Sequence, residues 1–416
     1  MERNNLMMNL TCANRWATRA VIGWNLIIVL LTLPRAGTAE EPNKPWQRHV
    51  IDNSSRGADG TRLADANGDG LLDIATGWEQ GGITRVYLHP GHNRSKQPWP
   101  AVTVGAAANV EDAVLVDLDG DGAMDVVSCC EGSRQVMLVH WAPTKEYLEP
   151  KGWKTAEIPD SENKFRWMFA CPVDVDQDGQ IDLVAGGKGQ SSQLGWWKLP
   201  VNPRNLSDWE WHPLRQQLGW VMSIKAVDMN GDGDLDILFS DRKGSKSGCF
   251  WLEHPGGENV DQPWREHAVG LSGKEAMFLS LADVDRDGLQ DVIAAIRPQT
   301  IAVCRRQNAA GTQWKSDTIT IPKTFGSAKD AAAADLDKDG QLEIVFTTER
   351  ASQGKIGVGC ILNPLGENPI FQSISGLDGT KHDLVKLHDL DGDGDLDVLT
   401  CEEVNNLGVI WYENPL

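Results

Sequence analysis

One acidic nine-residue segment occurs seven times along this 416-residue chain, and no other feature limits the possible folds as tightly. The copies read DANGDGLLD from Asp65, DLDGDGAMD from Asp117, DVDQDGQID from Asp174 and DMNGDGDLD from Asp228. They continue as DVDRDGLQD from Asp283, DLDKDGQLE from Asp335 and DLDGDGDLD from Asp389. Successive starts lie 52, 57, 54, 55, 52 and 54 residues apart. Such even spacing marks a repeated supersecondary unit that buries its apolar face only by stacking on its neighbours.

The flanks of each copy read as strands. Alternating runs such as residues 113–116 and 280–282 precede the loops, and β-rich runs such as 74–76 and 398–400 follow them. A third segment carries aromatic and aliphatic residues before a proline, as in 250–255 and 411–415. A fourth begins at a tryptophan and ends on an apolar residue, as in 46–51, 153–158, 264–269 and 314–319. Four strands in about fifty residues is the footprint of a propeller blade. The expected fold is therefore all-β: a seven-bladed β-propeller with four strands per blade. The chain enters on a fourth-strand segment and ends on a third-strand one, so the N-terminal strand should close the last blade and cover both open edges.

Ahead of the repeats, Arg3, Arg15 and Arg19 precede an apolar run over 21–33 and the small residues 36–39. This pattern reads as a signal peptide over 1–39, leaving residues 40–416 as the propeller of a secreted or periplasmic, extracellular protein. Nothing after Glu40 is long and apolar enough to span a membrane. Cys12 falls before the apolar run, which argues against a lipid anchor. The seven remaining cysteines include no C-x-x-C pair, so a zinc or redox site has little support. A net charge of -20 argues against nucleic acid and anionic membrane surfaces as partners.

The loops carry the chemistry of a hard cation. Calcium takes six to eight oxygens, and positions one, three, five and nine of each loop supply side-chain oxygens that can converge on one ion, with a turn-forming glycine at six. The expected ligands are Asp65, Asn67, Asp69 and Asp73; Asp117, Asp119, Asp121 and Asp125; Asp174, Asp176, Asp178 and Asp182; and Asp228, Asn230, Asp232 and Asp236. Asp283, Asp285, Asp287 and Asp291; Asp335, Asp337, Asp339 and Glu343; and Asp389, Asp391, Asp393 and Asp397 complete the set, for up to seven Ca2+ ions. An EF-hand needs a glutamate at position twelve and flanking helices; that position holds Thr76, Ser128, Ala185, Phe239, Ala294, Phe346 and Thr400. At a Kd near 10⁻⁴ M and about 1 mM calcium, each site adds about 1.4 kcal/mol, so the ions read as structural.

These loops in their strand setting resemble the FG-GAP/VCBS repeats, the calcium-binding propeller repeats of integrin α-subunit heads. Phe325-Gly326-Ser327 retains the family's Phe-Gly signature; the other six repeats lack it. The resemblance covers residues 46–416 and implies a seven-bladed propeller with calcium in inter-strand loops. It implies no single activity.

Counting outward from each loop sets the residue six before the first Asp against the residue fourteen after it. The pairs are Asp59 with Glu79, Glu111 with Glu131, Met168 with Lys188, Met222 with Arg242, Met277 with Arg297, Lys329 with Glu349 and Asp383 with Glu403. The second members are acidic in repeats seven, one and two and basic in three, four and five. This places a bipolar mouth on the central channel, with Arg166, Trp167, Trp220, Lys381 and His382 on the same rim. The basic side would grip a carboxylate or sulfate, the tryptophans a sugar face, and the acidic side a cation or hydroxyls. His49, His212 and His267, and likewise His89 and His254, recur at fixed strand positions and read as structural; His388 reads as a buried partner of its loop.

Two function classes follow. The first is an extracellular module, expected as a monomer, that binds a glycan or a protein. The second is a carbohydrate lyase or sugar dehydratase at the channel mouth, with His382 or Lys381 as base and Arg166, Arg242 or Arg297 stabilising developing charge. G-x-S-x-G, H-E-x-x-H and the phosphate-loop motif are absent from the sequence.

Overall fold

The computed structural model describes residues 44–416; the expected signal segment lies outside the described residues. Strands dominate because the repeats alternate β-branched and aromatic residues between glycine-rich turns. The first sheet takes Ala58–Ala64, Asp73–Trp78, Ile83–Tyr87 and Ala101–Ala106 in order, all antiparallel. Val110–Val116, Asp125–Cys130, Met137–Trp141 and Lys154–Glu157 repeat that plan. Ala276–Ala282 to Trp314–Thr320 and Ser327–Ala334 to Ile370–Ser373 repeat it twice more. The innermost strands of successive repeats touch, and Asp397–Glu402 of the last repeat returns to Ala58–Ala64 of the first, so the sheets form a β-propeller.

The final sheet runs Lys386–His388, Asp397–Glu402, Gly408–Glu413 and then Gln47–Asp52 from the other end of the chain. Arg48 stands opposite Tyr412 and His49 opposite Trp411, so the N-terminal strand fills the edge left open in repeat seven. His49 also stacks on the Trp411 ring at 4.4 Å while its Nε2 meets Glu413 at 2.7 Å. His267 makes the same stack on Trp251 at 4.1 Å and meets Glu253 at 2.6 Å, and His212 stacks on Trp196 at 4.7 Å. These three histidines hold outer strands to third strands.

Seven separate blades are not what the hydrogen bonding gives. There are six sheets, five of four strands and one of six. The six-stranded sheet contains both the Asp174 and the Asp228 repeats. Its strands run on where other repeats turn: Asp182–Lys198 pairs with Arg166–Val173 through its first half and with Glu210–Val227 through its second. Glu210–Val227 in turn pairs onward with Asp236–Asp241. The linking residues 186–195 and 213–223 hold no proline beyond Pro213, and the pairing carries on past the left-handed Gly189 and Gln217 with shifts of register.

In five repeats the second strand is buried along its whole length, and in the other two along its first six residues, because both of its faces lie under neighbouring sheets. Tryptophans fill the wedges. Trp78, Trp99, Trp411 and Tyr87 join repeats seven and one, and Trp141, Trp167, Trp197 and Trp209 join two and three. All seven cysteines of residues 44–416 are free, and six are buried. Among the described residues no helix is long and apolar enough to cross a membrane.

Candidate functional site

The loop segments share one hydrogen-bond plan. In all seven, the first Asp accepts the N–H of the glycine at position six, as Asp65 does from Gly70 at 2.9 Å and Asp389 from Gly394 at 3.0 Å. In all seven, the Asp at position five accepts the N–H at position seven. The glycines at position six have φ between 84° and 96°. A Cβ at Gly122 or Gly179 would meet nothing within 4 Å, so glycine is there for its left-handed backbone, not for space. Position four is left-handed too, and tolerates Gln177, Arg286 and Lys338 at φ of 59–60°.

The carboxylate at position nine does more than face the loop. One oxygen accepts the N–H of position two, as Asp125 does from Leu118 at 3.2 Å; the other accepts an N–H at the end of the third strand, Ala142 at 2.7 Å. Asp73, Asp182, Asp236, Asp291 and Asp397 repeat both bonds, and Glu343 keeps the first. This residue therefore ties the loop to its own third strand. Burial, and then the loop's other carboxylates, push Asp125, Asp182 and Asp397 up to about 7, against those backbone bonds.

The donor set fits a calcium ion. Oxygens sharing an ion at 2.3–2.6 Å lie no more than about 5 Å apart. Asp117, Asp119 and Asp125 each place an oxygen within 4.8 Å of the others, as do Asp174, Asp176 and Asp182, and Asp283, Asp285 and Asp291. Asp117 Oδ1, Asp174 Oδ1, Asp285 Oδ1 and Asp335 Oδ1 are buried without a hydrogen-bond donor. Basic side chains reach the third position from outside the loop: Lys96 to Asp391 at 2.8 Å, Arg305 to Asp285 at 3.2 Å, Lys198 to Asp176 and Arg204 to Asp119. Lys96 and Arg204 come from the following repeat, so they also pin neighbours together. His89 and His254 do the same, donating from Nε2 to the position-two carbonyls of Leu390 at 2.9 Å and Val175 at 2.7 Å.

At the opposite end of the innermost hairpins the expected pairing is corrected. Glu131 bonds to Asn109, Lys188 stands opposite Arg166, and Arg242 and Arg297 bond to Trp220 and Glu275. Each partner lies two residues earlier than counting placed it. The hairpin count contributes one residue. The other comes from a β-bulge that breaks the innermost strand at Asp59/Arg62, Val110/Asp112, Trp167/Phe169, Val221/Ser223, Ala276/Leu279 and Ala328/Asp330. Bulges of this kind twist a strand and re-aim its end.

The bipolar mouth is likewise corrected, to a ring of interleaved charges. Lys329 lies 2.7 Å from Asp383 and 3.9 Å from Glu349. Arg297 contacts Glu349, and Arg242 meets Glu275 at 3.4 Å. Lys381 contacts Glu403 and lies 3.9 Å from Asp59. Lys188 contacts Glu131 and lies 3.6 Å from Glu111. Glu275 belongs to the ring and was not among the expected residues; its bulge-shifted position hid it. Eight carboxylates meet five cations, and the excess gathers at repeats one and two. There Asp59 is held well above the usual carboxylate range by burial, Asp383 and Glu111, and burial and Glu111 raise Glu79.

The aromatic and catalytic candidates are not placed as expected. Trp167 is fully buried against Phe165 and Trp211, and its N–H donates to Ser161 at 2.9 Å. Trp220 is half-buried and covered by Lys188 at 4.3 Å, Arg242 at 4.2 Å and Lys243 at 5.3 Å. His382 is fully buried, packed so closely that a Cβ on Gly357 or Gly379 would come within 2.4 Å of its ring. Burial lowers its pKa to about 4, although Glu402 and Asp383 oppose the shift. Burial also works to lower Lys381, but Asp383, Asp59, Glu111 and Glu79 outweigh it and hold the ammonium charged. Arg166 is exposed. His388 is half-buried at its loop.

Comparison with known proteins fits this geometry. The description "FG-GAP-like repeat" matches residues 65–128, 174–239 and 283–346, each match spanning two of the acidic loops. This chain carries FG-GAP-like repeats. A T-cell immunomodulatory protein homolog from Plasmodium falciparum (isolate 3D7) is 24% identical over 221 residues. That similarity covers 44% of this chain and 30% of the relative, so the chain spans under a third of that protein where they match. Among solved structures, BBS1N in complex with ARL6DN, soaked with lead, superposes with a TM-score of 0.52 at 10% identity, over 90% of this chain and 98% of that one. The likeness is one of propeller fold. Within the FG-GAP-like repeats, Phe325 packs on Phe346 at 5.0 Å, and a Cβ on Gly326 would lie 2.5 Å from the Glu349 carbonyl, so the Phe-Gly pair is a packing device.

Proposed function

We propose that this chain is a calcium-stabilised, extracellular binding module, released after removal of residues 1–39 and acting as a monomer over 40–416. The six-stranded sheet counts as two repeats in this reading, giving seven blades and up to seven ions. The observation that carries it is the loop plan itself, repeated seven times, with carboxylate oxygens converging and several buried ones lacking any donor. Asp, Asn and Glu at positions one, three, five and nine would hold the ions, which supply positive charge that lets adjacent carboxylates stay ionised.

The ligand reading turns on the mouth. The excess carboxylates at Asp59, Glu79, Glu111 and Glu131 favour a ligand that presents basic groups, and Trp220 is already covered by cations, which leaves it poorly placed to stack on a sugar. A protein ligand with an exposed lysine or arginine suits this better than a uronate glycan; BBS1N, which shares the fold, is known in complex with ARL6DN. The lyase reading loses its base, because His382 is buried and Lys381 is held by carboxylates.

The test is fluorescence anisotropy in 1 mM calcium with arginine-rich peptides and with sulfated and uronate oligosaccharides. The proposal expects salt-sensitive peptide binding that Glu79→Gln with Glu111→Gln weakens at least tenfold. Tight oligosaccharide binding untouched by those changes would reverse it.

A further inference from the structure

Below the mouth ring lies a second layer of channel residues, three positions before each loop: Arg62, Val114, Cys171, Lys225, Ser280, Ala332 and Lys386. Each stands opposite a buried apolar residue of the second strand, for example Lys225 opposite Leu238 and Lys386 opposite Leu399. All seven are nonetheless partly exposed, although they sit on the innermost strands. Their exposed side is the lumen. Four of the seven are small or apolar, which leaves room there.

The charges of this layer do not balance locally. Arg62 is committed to Asp112, with Nε and a terminal nitrogen donating at 2.7 and 2.9 Å, and Asp112 takes a further bond from the Ala170 N–H at 3.1 Å. Asp330 is spent on backbone: Oδ1 accepts from Ala331 at 2.8 Å and Oδ2 from Val385 at 2.9 Å. Lys225 and Lys386 have neither an ion-pair partner nor a hydrogen-bond acceptor among the described residues. They sit three repeats apart around the ring, on facing sides of the lumen. An ammonium offers three donors and no acceptor, and one left unpaired away from bulk water is costly. A fold that keeps two such groups retains them for something that arrives.

We propose that the lumen between Lys225 and Lys386 is an anion-binding site that takes one small oxyanion, sulfate-like or a small organic carboxylate. The anion accepts from both ammonium groups and restores charge balance beside the closed Arg62–Asp112 pair. The site is separate from the mouth ring and from the loops. The electrostatics agree: burial, then Lys225 and Arg62, lower Lys386 to about 7 against Asp330 and Asp112, and burial and Arg62 lower Lys225.

The experiment is calorimetric titration of the full chain in calcium, at fixed ionic strength, with sodium sulfate and separately with sodium succinate. It is paired with selenate soaks of crystals of the unaltered protein. The expected result is one site for at least one anion, weakened at least tenfold in both Lys225→Met and Lys386→Met, and a selenium anomalous peak between the two ammonium groups. The stronger of the two anions tells an inorganic from an organic ligand. Both variants should melt no lower than the parent in anion-free buffer, since each removes an unpaired charge. Affinity unchanged in both variants, absence of binding by either anion, or a selenate peak outside the lumen overturns the proposal. Should a variant fail to fold, the selenate peak in the parent protein decides alone.

Discussion

At the loop end of the inner hairpins, one hydrogen-bond plan recurs in seven copies, with Glu343 alone lacking the bond to its third strand; at the mouth end, no two repeats present the same set of side chains. The loop end repeats because each copy solves one local problem: it turns a strand and anchors position nine to the third strand. The mouth end is free of that duty. Its backbone is fixed by a shared bulge, and its side chains vary from Met168 to Asp383 at one position. Uniformity marks scaffold and variation marks selectivity, within one molecule and without recourse to relatives.

That contrast can be broken by substitution. The largest effect should come from Asp182→Ala, which orphans the Val175 and Leu199 N–H groups. Each was bonded to a carboxylate, so a loss of about 3 kcal/mol or more is expected in urea unfolding. A loss below about 1 kcal/mol would show that position nine is not the anchor. Next comes Gly122→Ala, where the residue is held at φ 88° with open space around it; about 1–2 kcal/mol should be lost from backbone strain alone. The mouth should behave otherwise. Glu79→Gln with Glu111→Gln removes like charges near one another and should leave stability within about 0.5 kcal/mol or raise it. A large destabilisation there would make the mouth scaffold too.

The lumen carries a pH dependence of its own. Unfolded Lys386 keeps its proton up to about 10.5, whereas in the fold it gives it up from about 7. Between these values the unfolded chain binds more protons, so the folded state gains stability as pH rises. Lys386→Met should therefore be the more stable protein at pH 7 in anion-free buffer, with the gap closing toward pH 10. Arg62, Lys225, Asp112 and Asp330 are the charges facing this lysine, and Lys225, itself lowered by burial and Arg62, adds to the same trend. A gap that stays constant would show that Lys386 carries no such shift.

Sequence made the scaffold legible and the selectivity surface much less so. The seven loops, the strand order and the closing strand Gln47–Asp52 follow from periodicity and turn chemistry, which act over a few residues. The run-on of Asp182–Lys198 and Glu210–Val227 was not legible, because nothing in those residues compels either a turn or its absence. Nor was the bulge, which leaves no mark in composition yet moves every mouth residue relative to its partner. Trp167 and His382 show the same limit: both follow the strand pattern, but whether such a side chain faces the lumen or the wedge between sheets depends on that one-residue slip. The pair Lys225 and Lys386 could have been found by reading the slot three before each loop across the repeats, where lysine interrupts small and apolar residues.

We propose that calcium in the loop end holds this propeller together. The direct measurement is thermal unfolding of residues 40–416 in 1 mM calcium and again after exchange into excess chelator. A fall in Tm of well over ten degrees, or loss of the cooperative transition, is expected, with full recovery when calcium but not magnesium is restored. An unchanged Tm in chelator would contradict it and leave the acidic loops as turns held by their backbone hydrogen bonds alone.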